Sequence, residues 1–549
     1  MPLLRRAEAA AAGGSWVALA LSYEAAPAFD SALEVKSPDE FPLAWMGVFK
    51  ESSSALRESH PAQYQVSGWL PQISGEQYRR AVHAIRDYIE AGDAYQVNFT
   101  FLLRGSVSGD TFSCFRALAQ SERPAYAAYL DIGSHRILSF SPEMFVERRG
   151  DRLITRPMKG TMSRGRWPEE DVARAAELKA SAKDRAENVM IVDLMRSDLG
   201  KVVQTGSVEA TDLFAVESLG RVLQMTSTVS AVQKPDTTVV DILRALFPCG
   251  SVTGAPKSRS MEIITELEQA PRGIYTGAIG LLEPSGDASF SVPIRTLTVA
   301  EDCSATFGVG GAITWDSTAD GEYEECRLKA RFLTDPWEDF DLLETLELNE
   351  GSYTLLDRHL RRAGDSAGYF GFHWSNHGVL AALEEVCASH RRGRWRVRLT
   401  IGRSGQARTS ITPLGELSKA PLTVRFASRA IDDRDPLVFH KVTARSRYES
   451  ELQRCEPCDD VIFWNDRGEV TESTIANVVI FSDGKNWTPP REAGLLAGTF
   501  REELISKGEL FVRTITKREL ESAESFALIN SVRGWMSARL QYSAKVSSG

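Results

Sequence analysis

The stretch ITRPMKGTMSRG, residues 154 to 165, sets Lys159 in a turn punctuated by Pro157 and Gly160, after a short β-like run. An amine held there, rather than on a solvated helix face, is a candidate reactive group; taken alone it reads as a surface turn. Four acids add a second kind of chemistry. Asp184 and Glu187 lie three residues apart in one helical run, and Glu322 and Glu325 repeat the spacing in DGEYEECRLKARFL. Positions i and i+3 share a helix face, so each pair presents two carboxylates together. Two such faces meeting would form a hard-oxygen site suited to magnesium, which takes few protein carboxylates and keeps several waters. A single acidic pair, by contrast, is ordinarily solvated surface. Further on, LVFHKVTARSRYES places Lys441 after a strand-like run and close in sequence to Thr443, Arg445 and Tyr448. Thr499 begins a helical pattern in which Glu502 completes a capping box, and a helix N-terminus is also an anion site.

These residues need elements to hold them. EQYRRAVHAIRDYIEAG, 76 to 92, spaces Tyr78, Val82, Ile85 and Ile89 at helical intervals and closes on glycine. DAYQVNFTFLLRG reads as a strand, and RILSFSPEMFVERRGDRLITRPMKG as strands joined by a polar turn. Residues 169 to 200 read as strongly helical. TDPWEDFD, 334 to 341, is the domain seam, which divides the chain into 1–335 and 336–549. Beyond it, LLETLELNEGSYTLLDRHLRRAGDSAGYFGF gives a strand, a turn at 349 to 352 and a helix; NDRGEV is a hairpin turn. Neither half has a regular βαβ rhythm, so each is expected to be α+β.

Composition narrows the functional class. A formal net charge of -10, with 43% apolar residues, supports sizeable cores and gives no basic footprint for nucleic acid. Seven scattered cysteines fit a reduced compartment, and CEPC at 455 to 458 lacks the second pair that zinc would need. The apolar N-terminal run is broken by Glu8 and Gly13-Gly14, and Trp16 to Tyr23 is too short for a bilayer, so a soluble cytoplasmic protein is expected.

SPEMF, PMKGT, AENVMIVDLMRSDLG, FPCGSVTGAPKSRSMEII, RGIYTGAIG, VPIRT and GVGGAITWDSTADGEYEECRLKA follow one another across residues 141 to 330. Their order resembles the chorismate-utilising enzymes: anthranilate, isochorismate and salicylate synthases and aminodeoxychorismate synthase component I. The resemblance implies the family's β/α sandwich over residues 15 to 333. It implies that Lys159, a small residue in anthranilate synthases, attacks C2 of chorismate as the neutral amine. Glu143 would protonate the departing C4 hydroxyl, and ammonia would then add at C4 and expel the lysine. By the same matching Glu187 and Glu325 are principal magnesium ligands, with Asp184 and Glu322 acting directly or through water. Arg295, Tyr275 and the backbone around Gly310 and Gly311 would hold the other substrate carboxylate, with Lys329 facing it. Two departures stand out. Gln224 replaces a histidine common in relatives, and the N-terminus looks shorter than usual.

The words around Lys441, together with FWNDRGEVTESTIANVVIF, GLLAGTFREELI and FALINSVRGW, resemble the fold-type IV pyridoxal-phosphate enzymes over residues 340 to 540. That group includes branched-chain and D-amino-acid aminotransferases and aminodeoxychorismate lyase. The resemblance assigns Lys441 to the cofactor Schiff base and proton transfer, and Glu472 to the pyridinium nitrogen. It assigns Arg362, Thr499 and the Ser473 region to the phosphate. The Arg445 side chain is either catalytic or structural. Together the two resemblances imply amination of chorismate to 4-amino-4-deoxychorismate, then elimination of pyruvate to 4-aminobenzoate. No glutaminase module is visible, so ammonia is expected from a separate glutamine amidotransferase or from solution. A homodimer through the second domain is left open. Competing readings are an anthranilate- or salicylate-type synthase fused to an aminotransferase, and a degenerate binding-only subunit.

Overall fold

The structure, a computed structural model, describes residues 1–53, 62–334, 337–415, 420–455 and 457–541. The chain forms two compact units: residues 1–164 with 174–337, and residues 165–173 with 338–549. The expected boundary between 335 and 336 lies outside the described residues. No sequence feature had marked the short excursion at 165–173, whose Trp167 packs in one core cluster with Val438 and Phe439.

Among the described residues the first unit is built on two antiparallel sheets. One has nine strands, including Trp16–Leu21, Met144–Arg149, Arg152–Arg156, Val222–Val232 and Ala278–Leu282, with Met158–Ser163 paired to Val222–Val232. The apolar N-terminal run is thus a helix, Pro2–Ala12, followed by the strand Trp16–Leu21 of this sheet, which is paired on both sides. The other sheet has seven strands, including Gln96–Gly109, His135–Ser141 and Ser304–Ile313. Helix Gly75–Glu90 forms where its spacing predicts. Ser74 and Gln77 close a capping box at its start, and Tyr78, Val82 and Ile85 are buried against the seven-stranded sheet.

The helical run at 169–200 is two helices, Pro168–Ala180 and Ala182–Gly200. Ser181 divides them by capping the second: its hydroxyl accepts the Asp184 amide at 3.3 Å. Helix Ala319–Thr334 carries the other acidic pair. Pairing of Met158–Ser163 with Val222–Val232 runs Thr161 to Gln224 and then Met158 to Thr226. Three steps on one strand therefore oppose two on the other, a bulge at Lys159-Gly160. Gly160 has φ +93°, and a Cβ there would lie 3.0 Å from Asp184 Cβ, so both the conformation and the space require glycine.

The second unit has a four-stranded antiparallel sheet, Ser352–Tyr353, Leu342–Asn349, Arg394–Ile401 and Ala407–Pro413 in spatial order. It also has an eight-stranded sheet in which Val470–Ser473 pairs with both Asp460–Trp464 and Asn477–Ser482, closing part of the ladder on itself. Helix Leu356–Phe370 follows the predicted strand and turn. One local expectation fails. The helix Thr499–Ser506 has Gly498 at its N-cap and no side-chain cap, so Thr499 and Glu502 form no capping box. The reason is a competing partner: the Thr499 hydroxyl bonds His359 Nε2 at 3.2 Å.

Candidate active sites

In the first unit a cavity of about 310 Å³ is lined by Glu143, Lys159, Asp184, Glu187, Glu322 and Glu325, and by Tyr275, Arg295, Gly310, Gly311 and Lys329. Every residue singled out from sequence for this half therefore meets at one place. Lys159, 8% exposed, leaves the bulge to donate to the Ser251 carbonyl at 2.9 Å. Burial pulls its pKa down, opposed by the charges of Glu187 and Glu143. Glu143 is 2% exposed, and its Oε1 is buried without a hydrogen-bond partner. Burial pushes its pKa up to about 7, against a hydrogen bond from Ser251 and the charge of Lys159. A buried acid whose pKa is raised toward neutrality, sharing a cavity with an amine whose charge burial opposes, suits proton transfer coupled to nucleophilic attack.

Gln224, the departure from relatives, has a visible task. Its Nε2 donates to the Gly160 carbonyl at 2.9 Å and its Oε1 accepts from the Thr161 hydroxyl at 3.1 Å. It pins the bulge that presents Lys159. Arg295, in the left-handed region at φ +50°, pairs with buried Glu122 at 3.6 Å. Tyr275 packs so closely that a Cβ on Gly308 would lie 2.3 Å from its ring.

The four acids line the cavity, each with a protein partner already. Ser181 bonds Asp184, Lys183 stands 3.9 Å from Glu187, Ser317 donates to Glu322 at 2.7 Å, and Lys329 pairs with Glu325 at 2.7 Å. Burial raises Glu187 to about 7, with Glu322 and Asp184 adding to it, and burial raises Glu322 as well. Among the described residues no group of three or more His, Cys, Asp or Glu side chains is gathered closely enough to hold a metal ion, the four acids of this cavity included.

In the second unit Arg362, Lys441, Glu472, Ser473 and Thr499 line a common pocket with Arg445, Tyr448 and Asn477. The Lys441 backbone is fixed by pairing with the strand Leu342–Asn349: its carbonyl accepts the Leu343 amide at 2.9 Å. Burial lowers the Lys441 pKa to about 8, helped by the Arg362 charge. Glu472 accepts from the Tyr448 hydroxyl at 2.8 Å and from the Leu496 amide at 3.1 Å, and burial raises it to about 7. The Arg445 guanidinium lies over the Tyr448 ring at 4.6 Å and donates to the Thr474 carbonyl. A Cβ on Gly498 would fall 2.2 Å from Asn477 Oδ1, which accepts the Gly498 amide at 3.1 Å, so a larger residue there would displace the Asn477 side chain from the start of the uncapped helix.

Two buried residues escaped the sequence reading, Glu344 and His359. Arg362 donates to Glu344 from Nε at 2.8 Å and Nη2 at 2.7 Å, and His359 Nδ1 meets it at 2.6 Å. Burial alone would raise the Glu344 pKa; Arg362 and His359 outweigh it and hold the carboxyl well below its usual range. An ionised carboxylate only accepts, which puts the imidazole proton on Nδ1 and makes Nε2 the acceptor for Thr499. The Thr499 hydroxyl proton is thereby committed to His359, and its backbone amide is left as the donor at the helix start.

Residues 3–335 match the family model described as chorismate binding enzyme. The chain belongs to the chorismate binding enzyme family. Residues 341–540 match the model described as amino-transferase class IV, so a chorismate-binding domain precedes a fold-type IV aminotransferase-like domain, both α+β as expected. The chain is 43% identical over 262 residues to aminodeoxychorismate synthase component 1 of Escherichia coli, an alignment covering 47% of this chain and 57% of that protein. It is 44% identical over 255 residues to aminodeoxychorismate synthase of Streptomyces pristinaespiralis, covering 46% of this chain and 35% of the relative. The chain thus spans less than two thirds of the length of these curated relatives. The crystal structure of anthranilate synthase component I from Streptococcus pneumoniae superposes with a TM-score of 0.50 at 27% identity, covering 58% of this chain and 80% of that one. No described helix is long and apolar enough to cross a membrane.

Proposed function

We propose that this member of the chorismate binding enzyme family makes 4-aminobenzoate in two steps on one chain. The observation that carries the reading is the buried Lys159 amine in one cavity with Glu143 and the four acids. In the first step Lys159 forms a bond to C2 of chorismate while both ring double bonds shift toward C4 and the C4 hydroxyl departs as water, protonated by Glu143. Ammonia then bonds to C4, the electrons shift back and the lysine leaves, giving 4-amino-4-deoxychorismate. Arg295 and Lys329 orient the substrate's carboxylates, and Gln224 holds the Lys159 bulge in place. The four acids match magnesium in donor chemistry, since its ligands are hard carboxylate oxygens, and burial disfavours the charge of Glu187 and Glu322, which a divalent cation would offset. Asp184, Glu187, Glu322 and Glu325 would hold it, and it would neutralise a substrate carboxylate. The E. coli relative is named as a component 1, which supports a separate glutamine amidotransferase as the ammonia source.

The second domain fits pyridoxal phosphate. A buried amine, a buried carboxyl and an uncapped helix start with Arg362 nearby match its aldehyde, ring nitrogen and phosphate. Bound there, the cofactor would supply an electron sink for the carbon bearing the substrate's amine. Lys441 then removes the proton from that carbon, and Glu472, held by Tyr448, keeps a proton at the ring nitrogen. Loss of the C4 proton and of the C3 enolpyruvyl group aromatises the ring, yielding 4-aminobenzoate and pyruvate. The reading is tested by Lys441→Ala. Given chorismate, ammonium, magnesium and pyridoxal phosphate, the variant should accumulate 4-amino-4-deoxychorismate, and added lyase should convert it to 4-aminobenzoate. Wild-type rates of 4-aminobenzoate formation by the variant would overturn it.

A further inference from the structure

Lys441 stands at the junction of two cavities in the second unit. Beside the pocket that holds Glu472 and Thr499, a cavity of about 270 Å³ shares with it Lys441, Arg445, Ile475, Asn530 and Ser531. Its remaining lining is Leu343, Thr345, Arg396, Arg398, Ser410, Thr412, Val532 and Arg533, with no carboxylate among them. Four guanidinium groups and one amine therefore face a single space.

Strand register explains how this surface arises. Arg394–Ile401 lies between Leu342–Asn349 and Ala407–Pro413, so Thr345, Arg398 and Ser410 form one row across three strands. Glu347, Arg396 and Thr412 form the next row on the same face. The alternate residues Val397, Leu399 and Ile401 are buried on the opposite face, so the period of two forces both arginines toward the cavity. Glu347 is opposite Arg396 but is taken by Arg394, which donates to it at 2.8 and 2.6 Å. Among the described residues Arg396, Arg398 and Arg533 have no ion-pair partner. Cations lining a cavity at a reactive amine, flanked by hydroxyls and without counter-ions, are an anion-recognition surface.

We propose that this arginine face selects the second domain's substrate as an amine carrying two carboxylates, with Arg396 and Arg398 as the specificity-determining pair. This rests on the elimination reaction proposed above, whose substrate has a ring carboxylate and an enolpyruvyl carboxylate. A single α-carboxylate would leave most of this charge unused.

The test uses the full-length protein loaded with pyridoxal phosphate, comparing wild type with Arg396→Gln, Arg398→Gln and the double variant. Inhibition constants for benzene-1,3-dicarboxylate and benzoate are measured alongside KM and kcat for supplied 4-amino-4-deoxychorismate. The cofactor's visible absorption band serves as the check on folding and loading. We expect the band to persist in all variants and KM to rise about tenfold or more for each single change. Wild type should prefer the dicarboxylate to benzoate, and the double variant should lose that preference. Unchanged KM and an unchanged preference in the double variant would overturn the proposal while leaving the elimination reaction standing. A wild type that fails to convert 4-amino-4-deoxychorismate, yet shows the arginine-dependent preference, would overturn the reaction and keep the dianion site. Arg396→Lys should recover part of the affinity, which a purely structural role of the guanidinium would not give.

Discussion

The lowered pKa of Lys441 can be tested directly in the protein stripped of cofactor. Burial and the neighbouring Arg362 bring it from 10.5 to about 8. At pH 7 roughly one amine in eleven is then neutral, against about one in three thousand for an unperturbed lysine, so Lys441 should carry about 300-fold more reactive amine than a surface lysine. Trace labelling with acetic anhydride, a small uncharged reagent, measures this fraction without the titration of pyridoxal phosphate intruding. Peptide mass spectrometry across pH 5.5 to 11 should give Lys441 a midpoint near 8. The neighbours fix the sign of two further shifts. The Arg445 charge lowers the Lys441 pKa and the Glu472 charge raises it. Arg445→Met should therefore move the midpoint up, and Glu472→Gln should move it down. A midpoint at 10 or above in the wild-type protein, or shifts of the opposite sign, would refute the buried, cation-flanked setting on which the base role rests.

Lys159→Ala should abolish formation of 4-amino-4-deoxychorismate from chorismate and ammonium, with any residual product aminated at C2; chromatography of the product mixture decides it, and an unchanged 4-aminobenzoate yield removes the covalent role. Glu187→Gln and Glu325→Gln should weaken chorismate and magnesium binding together, measured by calorimetry with and without the metal, while turnover of supplied 4-amino-4-deoxychorismate stays at its wild-type rate. Full first-step activity in EDTA would contradict the metal assignment. Glu344→Gln should destabilise the second domain by about 3–5 kcal/mol, because the Arg362 guanidinium is left buried without its charge partner. Since the Glu344 pKa is depressed on folding, its stabilisation is present above the unfolded value near 4.3 and lost as pH falls through the folded one. The wild type's advantage over the variant in urea melts should accordingly persist from pH 8 to 5 and shrink in strong acid.

The sequence was most legible where chemistry and local periodicity agree. Tyr78, Val82 and Ile85 marked one buried helix face, and the i, i+3 acids lie on the helices that carry them to the first cavity. It was least legible where a long-range partner decides. Helical periodicity runs through Ser181, yet the hydroxyl's bond to the following turn splits the run into two helices. Thr499 looked like a cap because Glu502 stands at the right distance, but His359, 140 residues away, takes its hydroxyl. Glu344 belongs to a strand whose neighbours are leucines, and alternation cannot distinguish a charged member of a buried row from an exposed one. Its role appears only when Arg362 and His359, on one helix face, come to lie against it. The same holds for Arg396 and Arg398: alternation predicts a shared face, but only the register beside Glu347 and Arg394 leaves them without partners.

The central claim is that one chain converts chorismate to 4-aminobenzoate, and product identification tests it most directly. Purified full-length protein is incubated with ring-labelled chorismate, ammonium, magnesium and pyridoxal phosphate, and the aromatic product and pyruvate are quantified by mass spectrometry over time. The account predicts labelled 4-aminobenzoate and pyruvate in equal amounts, with 4-amino-4-deoxychorismate accumulating when the cofactor is withheld. Anthranilate or salicylate as the aromatic product, or 4-aminobenzoate whose yield is indifferent to removal of pyridoxal phosphate, would contradict it.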